Sequence, residues 1–153
     1  MGERYARMAW PRSGIGAGPG HSERRTLQLT TQQFADTMVV APAGRIDHGS
    51  AAELEAALLP LVVQACERRS ALVLDFSGVD YISSVGLRVL MIAARQMRAA
   101  QSPLAVASLR SVVAEIFTIS RFDKVLAVHT TLEDALARVS GAALAAYRNA
   151  RPT

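Results

Sequence analysis

The chain has 153 residues, half of them apolar, and its 17 Lys and Arg outweigh 13 Asp and Glu for a formal charge of +4, which suits one domain with a core. No run of about 18 apolar residues is present to span a membrane, and the first residues lack the compact apolar stretch of a secretory signal, so a cytoplasmic protein without membrane insertion is expected. The single cysteine, Cys66, can form neither an internal disulfide nor a cysteine-based metal centre, which fits a reducing compartment.

Residues 1–25 carry Arg4, Arg7, Arg12, Arg24 and Arg25 against Glu3 and Glu23, with Gly14, Gly16, Gly18, Pro19 and Gly20 and no apolar period. They are predicted to form a flexible Arg/Gly-rich tail, with Met8 as an alternative start. Arg148 and Arg151 close the other end, so the charge excess lies outside a nearly neutral middle. That middle has no basic run interleaved with stacking aromatics, and no nucleic-acid partner is expected.

The domain itself is expected over 26–140. Leu27, Leu29 and Phe34, then Met38-Val39-Val40-Ala41, predict two antiparallel strands joined near Ala35 to Thr37, with Pro42 at an edge or bulge. Ser50 and Glu53 have capping-box spacing, and Leu54, Leu58, Leu61, Val62, Ala65 and Cys66 recur at helical intervals. Cys66 is thus a core residue, and Pro60 predicts a kink or a shortened first segment. Ala71 to Phe76 is a continuous apolar run, as in a strand buried on both faces. Val79-Asp80-Tyr81-Ile82 then leads through a loop into Ser83-Ser84 and a helix striped by Leu87, Leu90, Met91, Ala94 and Met97, ending near Arg98. Leu104 to Ala107 is a strand, Ser111 to Ile119 a short helix with Val112, Ile116 and Ile119 on one side, and Val125 to His129 a last strand. Thr131, with Glu133 and Asp134 in the first turn, starts a terminal helix that runs to about Tyr147, making 141–153 its extension and a frayed C-terminus. The order ββαβαβαβα implies a single α/β domain: a mixed, mostly parallel sheet with an N-terminal antiparallel strand and about four helices covering at least one face.

The supply of chemistry is thin. His21, His48 and His129 fall in the tail, a strand-to-helix loop and a strand end without ligand spacing, so no metal is expected. Dinucleotide, P-loop and hydrolase-elbow signatures are missing from the patterned region, so no cofactor, no catalytic residue and no enzymatic role are expected. What remains is Ser83-Ser84-Val85-Gly86-Leu87, two hydroxyls at a helix start directly after a buried strand. Two readings stay open. One is a plain N-cap, worth about 1 kcal/mol. The other is a phosphorylation site, where a phosphate meets the positive end of the helix and adds roughly two negative charges to the presented surface.

The run from Leu72 to Leu87, containing Asp75-Phe76-Ser77-Gly78-Val79 and Ser83-Ser84-Val85-Gly86-Leu87, resembles the signature of STAS-domain anti-sigma factor antagonists. Gly44-Arg45-Ile46-Asp47-His48 resembles the loop that precedes the first helix in that family, and the resemblance extends over approximately Leu27 to Val139. It implies a STAS fold and a partner-switching role. The unphosphorylated antagonist binds an anti-sigma factor that is also a serine kinase with a histidine-kinase-like ATPase fold; phosphorylation releases it, and a serine phosphatase restores it. The acceptor implied is Ser84, with Ser83 as the second candidate. Ser83 stands where well-known members carry aspartate, and Val85 stands where they carry a second Ser or Thr. The partner surface implied comprises Asp47, His48, Ser83, Ser84, Val85, Gly86 and Arg88. Asp47 has an alternative role as a turn residue bonding its own backbone, and Arg88 as a solvated charge. A STAS adaptor or scaffold subunit in a lipid-transport or signalling complex, with no phosphorylation cycle, is the alternative function.

Overall fold

A computed structural model describes residues 27–151 together with Tyr5–Ala6. Tyr5–Ala6 (β1) pairs antiparallel with Gln28–Phe34 (β2), and β2 pairs antiparallel with Thr37–Ile46 (β3) through a tight turn in which Ala35 takes φ 54°. The rest of the predicted tail over 1–25 lies outside the described residues. After β3 come α1 (Ala51–Arg68), β4 (Ala71–Asp75), β5 (Gly78–Ile82), α2 (Ser84–Ala99), β6 (Leu104–Ala107), α3 (Ser111–Ile119), β7 (Ala127–His129), α4 (Leu132–Val139) and α5 (Gly141–Ala150). The sheet runs β1-β2-β3-β4-β6-β7, with β3, β4, β6 and β7 mutually parallel. The expected α/β domain with a mostly parallel sheet and an N-terminal antiparallel strand is the fold observed.

One strand organises the functional end. The first part of β3, Thr37 to Val40, pairs with β4, and its last part, Ala43 to Ile46, pairs in parallel with β5. Pro42 falls in the gap between these two pairings, where its missing N–H interrupts no parallel ladder. The register then shifts between Gly44 and Arg45, and Gly44 takes φ 112°, which suits glycine. Gly78 permits the close approach of β5, since a Cβ there would lie 3.0 Å from the Ala43 Cβ. The expected order had absorbed β5 into the connection to α2. Its pairing depends on β3 outrunning β4, a length mismatch that local pattern does not show.

Alternation along the strands fills two cores. Leu29, Val40, Leu72, Leu74 and Val106 project to the face covered by α1, α2 and α3. Phe34, Val39, Val73, Ala105 and Ala107 project to the other, where Ala135, Leu136 and Ala143 of α4 and α5 meet them. Small residues at 105 and 107 let α4 approach the second face closely.

Four further expectations need correction. The terminal helix is two helices rather than an extension, so the described residues form five α-helices, plus a single 3₁₀ turn at Phe122–Lys124. Ser140 breaks them with extended backbone at φ −166°, accepts from the Ala143 N–H at 3.1 Å and donates to Asp36 Oδ1 at 2.7 Å. The bend brings Tyr147 edge-on to Phe34, with centroids 5.4 Å apart. In α1 the first segment is not shortened at Pro60: the helix runs on through it, because it and Ala56, whose carbonyl loses its donor, are both exposed to water. The buried side of α3 is Val113 and Phe117, with Ile116 partly covered, whereas Val112 and Ile119 are 52% and 78% exposed. Finally, β7 covers only Ala127–His129, since Val125 and Leu126 follow the 3₁₀ turn.

Candidate functional site

Parallel pairing of β3 with β5 sets two chain segments side by side at one end of the sheet. Ile46 is in register with Ile82, and the ladder continues one step further as the Ser83 N–H donates to the Ile46 carbonyl at 2.8 Å. Asp47 and His48 therefore leave the sheet next to Ser83 and Ser84, and the start of α1 lies beside the start of α2.

The two serines have different jobs. Ser83 is the N-cap of α2: its backbone is extended, at φ −90° and ψ 173°, and its Oγ accepts from the Gly86 N–H at 3.2 Å. Its carbonyl takes the first helical bond, from the Leu87 N–H at 2.9 Å. Ser84 is the first helical residue and is exposed. Its hydroxyl has no hydrogen-bond partner among the described residues, and neither do the N–H groups of Ser84 and Val85. The N-cap reading thus applies to Ser83 and leaves the Ser84 hydroxyl free. Val85 is half-buried. Gly86 is buried for a steric reason, because a Cβ there would lie 2.6 Å from Ile46 Cγ2 and 2.8 Å from Ile82 Cγ1. Arg88, one turn into α2, is exposed.

Asp47 organises the turn into α1. Its Oδ1 accepts from the Ser50 N–H at 3.0 Å, and its own N–H donates to Ser50 Oγ at 2.9 Å. The Ser50 hydroxyl lies 2.7 Å from the Arg45 carbonyl and 3.1 Å from Asp47 Oδ1, so one proton serves two acceptors. The Ala51 N–H donates to the Asp47 carbonyl at 3.0 Å. The expected capping box from Ser50 to Glu53 is not formed: Ser50 is helical in conformation without a side-chain cap bond, and Glu53 Oε1 is buried with no partner among the described residues. The Ser50 N–H above all holds the Asp47 carboxyl below the usual carboxylate range; the Ser50 hydroxyl, the Gly49 N–H and Arg45 assist, against a smaller opposing effect of burial. Arg45 Nε lies 3.8 Å from Asp47 Oδ2, and its guanidinium sits 4.5 Å over the Tyr81 ring. His48 is exposed beside this turn.

Sequence reasoning missed a bracing group. Arg110, just before α3, donates to the Ser77 carbonyl at 3.0 Å and to Asp80 Oδ1 at 2.8 Å, tying the start of α3 to β5. No periodicity flags an ion pair between residues 30 apart in the chain. Cys66 packs against the core as expected, its Sγ 3.8 Å from Met97 Sδ, and burial pushes its thiol pKa up, with Glu67 adding to the effect. Among the described residues no group of three or more His, Cys, Asp or Glu is arranged to hold a metal, and no helix is long and apolar enough to cross a membrane. A concavity of about 250 Å³ lies between the β2–β3 turn and the last turn of α1, lined by Gln33, Asp36, Gln64 and Arg68. These residues sit at the end of β3 remote from Ile46, away from Ser84.

The STAS domain family model matches residues 28–135. The chain belongs to the STAS family. Among STAS relatives it is 35% identical over 126 residues to BtrV of Bordetella bronchiseptica, across 82% of this chain and 99% of that one. It is 32% identical over 117 residues to the anti-sigma-F factor antagonist RsfB of Mycobacterium tuberculosis, across 76% of this chain and 92% of that one. The crystal structure of an anti-sigma factor antagonist from Mycobacterium paratuberculosis superposes with a TM-score of 0.65 at 25% identity, covering 74% of this STAS chain and 94% of its own. Within the STAS family, then, the chain falls among the anti-sigma factor antagonists, the group whose motif its sequence resembles.

Proposed function

We propose that this STAS domain is a partner-switching anti-sigma factor antagonist, a binding module and not an enzyme. In its unphosphorylated form it presents Asp47, His48, Ser83, Ser84, Val85, Gly86 and Arg88 to an anti-sigma factor that is also a serine kinase with a histidine-kinase-like ATPase fold. The kinase transfers the γ-phosphoryl group of ATP to Ser84 Oγ; the hydroxyl proton and ADP leave, and the complex comes apart. A serine phosphatase hydrolyses the ester and restores the binding form. These partners act in the cytoplasm.

The observation that carries this reading is the division of labour between the serines: Ser83 caps the helix, and Ser84 stands exposed and unbonded beside it. Adding a phosphate there leaves the fold's own hydrogen bonds intact. It places about two negative charges on a contact surface, which costs several kcal/mol of binding through desolvation and like-charge contact and lowers affinity by orders of magnitude. The names of RsfB and of the M. paratuberculosis neighbour support the anti-sigma factor as the partner class.

The test is mass mapping of the segment around Ser83 and Ser84 in protein isolated from its own cells under growth and stress, with a Ser84→Ala variant as bait. Condition-dependent phosphate on Ser84, and a bait that retains an anti-sigma kinase, are expected. A segment unmodified in every condition, with the bait still holding a stable complex, would establish the constitutive adaptor instead.

A further inference from the structure

Ser84 and Arg88 are four residues apart on α2, and both are exposed. Residues at this spacing share a helix face, and helical Cα–Cβ bonds tilt toward the N-terminus, so the Arg88 side chain can reach back over the turn that bears the Ser84 hydroxyl. The other arginines around this end of the sheet are already engaged. Arg45 lies over Tyr81 and within 3.8 Å of Asp47, and Arg110 holds Asp80 at 2.8 Å. Arg88 has no ion-pair or hydrogen-bond partner among the described residues, and the first turn of α2 contains no acidic side chain to occupy it. Two further donors, the N–H groups of Ser84 and Val85, are open in the same turn.

We infer that Arg88 is an internal clamp for a phosphate on Ser84, so that modification also withdraws from the partner the cation that the unmodified surface offers. The inference rests on the phosphorylation reading above. Before modification the Ser84–Arg88 turn carries a charge of about +1 and can meet an acidic group on the partner; afterwards it carries about −1, with its cation turned inward. An acid N-terminal to a base at this spacing is the favoured order on a helix. The paired guanidinium favours the dianion, so the second phosphate pKa falls below its ordinary value near 6. The clamp is closed above that value and opens as the pH drops through the lowered one.

The experiment is a ³¹P NMR pH titration of the full chain with phosphoserine genetically encoded at position 84, in the wild-type background and with Arg88→Gln or Arg88→Lys. The second pKa is expected about 0.2–0.4 unit lower with Arg88 than with Gln, the size an exposed charge pair of this spacing gives. Lys keeps most of the shift, and about 1 M salt erases most of it. Coincident titration curves for Arg and Gln would overturn the clamp. Because the phosphoserine is installed synthetically, the titration decides on Arg88 whether or not a kinase acts in cells. Absence of cellular phosphate on Ser84 would instead count against the switch itself.

Discussion

Gly86 packs against Ile46 with no room for a side chain, since a Cβ would stand 2.6 Å from Ile46 Cγ2. This contact seats the first turn of α2 on the end of β3, and it keeps Ser83 within reach of the Ile46 carbonyl at 2.8 Å. The position of Ser84 is thus set by the glycine two residues later. Gly86→Ala forces Ile46 or Ile82 out of place, and overpacking of this kind costs about 1–3 kcal/mol. Urea unfolding is expected to show that loss, whereas the helix propensity of Ala alone would raise stability; an unchanged or higher midpoint would mean the gap closes without strain.

Asp47 predicts a pH dependence with a definite sign. Its carboxyl titrates below the ordinary aspartate range in the folded chain, chiefly through the Ser50 N–H. A depressed acid stabilises the fold fully above its unfolded pKa, and the contribution is lost as pH falls through the folded value. Asp47→Ala removes both charge and acceptor and is expected to cost about 0.5–2 kcal/mol at pH 7, the range for a lost cap. Asp47→Asn keeps an acceptor and should cost less. Chemical denaturation from pH 7 downward should show the gap between wild type and Asp47→Asn steady until the carboxylate range and closing below it; a gap that widened in acid would contradict the assignment.

The buried side of α3 is checked by two truncations. Phe117 meets Phe76 and Phe122 edge-on, with centroids 6.3 and 5.3 Å away, and is 1% exposed. Phe117→Ala is expected to cost about 3–5 kcal/mol. Ile119→Ala is expected within about 0.5 kcal/mol of wild type, since Ile119 is 78% exposed. Thermal unfolding of the pair separates this face from the one that Val112, Ile116 and Ile119 outline in the sequence.

Those α3 residues show where the sequence stopped being informative. Val112, Val113, Ile116, Phe117 and Ile119 offer two overlapping stripes, and only the neighbouring aromatics Phe76 and Phe122 decide between them. Strands with continuous apolar runs, such as Leu72 to Leu74, were legible because a central parallel strand is buried on both faces. β5 was not, because its partner is a stretch of β3 more than 30 residues earlier. At the site, the serine pair was visible as a helix start, but which hydroxyl does the capping depends on backbone angles that residue types do not encode. The turn at Asp47 was half legible: Ser50 was marked as a cap, yet its hydroxyl donates backwards to the Arg45 carbonyl, and it is Asp47 Oδ1 that accepts from the Ser50 N–H.

The two serines should separate stability from switching. Ser83→Ala removes the acceptor for the Gly86 N–H and is expected to cost about 1 kcal/mol in unfolding experiments. Ser84→Ala replaces an exposed hydroxyl without a partner at the first helical position, where Ala is a good helix former, and is expected to be neutral or slightly stabilising. Binding to the captured anti-sigma factor should show the reverse emphasis. Ser84→Ala should hold the partner whether or not ATP is present, whereas Ser83→Ala should still release it on incubation with ATP. Release of the Ser84→Ala protein by ATP would show that the acceptor is Ser83 or lies elsewhere. Loss of stability in Ser84→Ala with none in Ser83→Ala would show that the capping roles assigned here are exchanged.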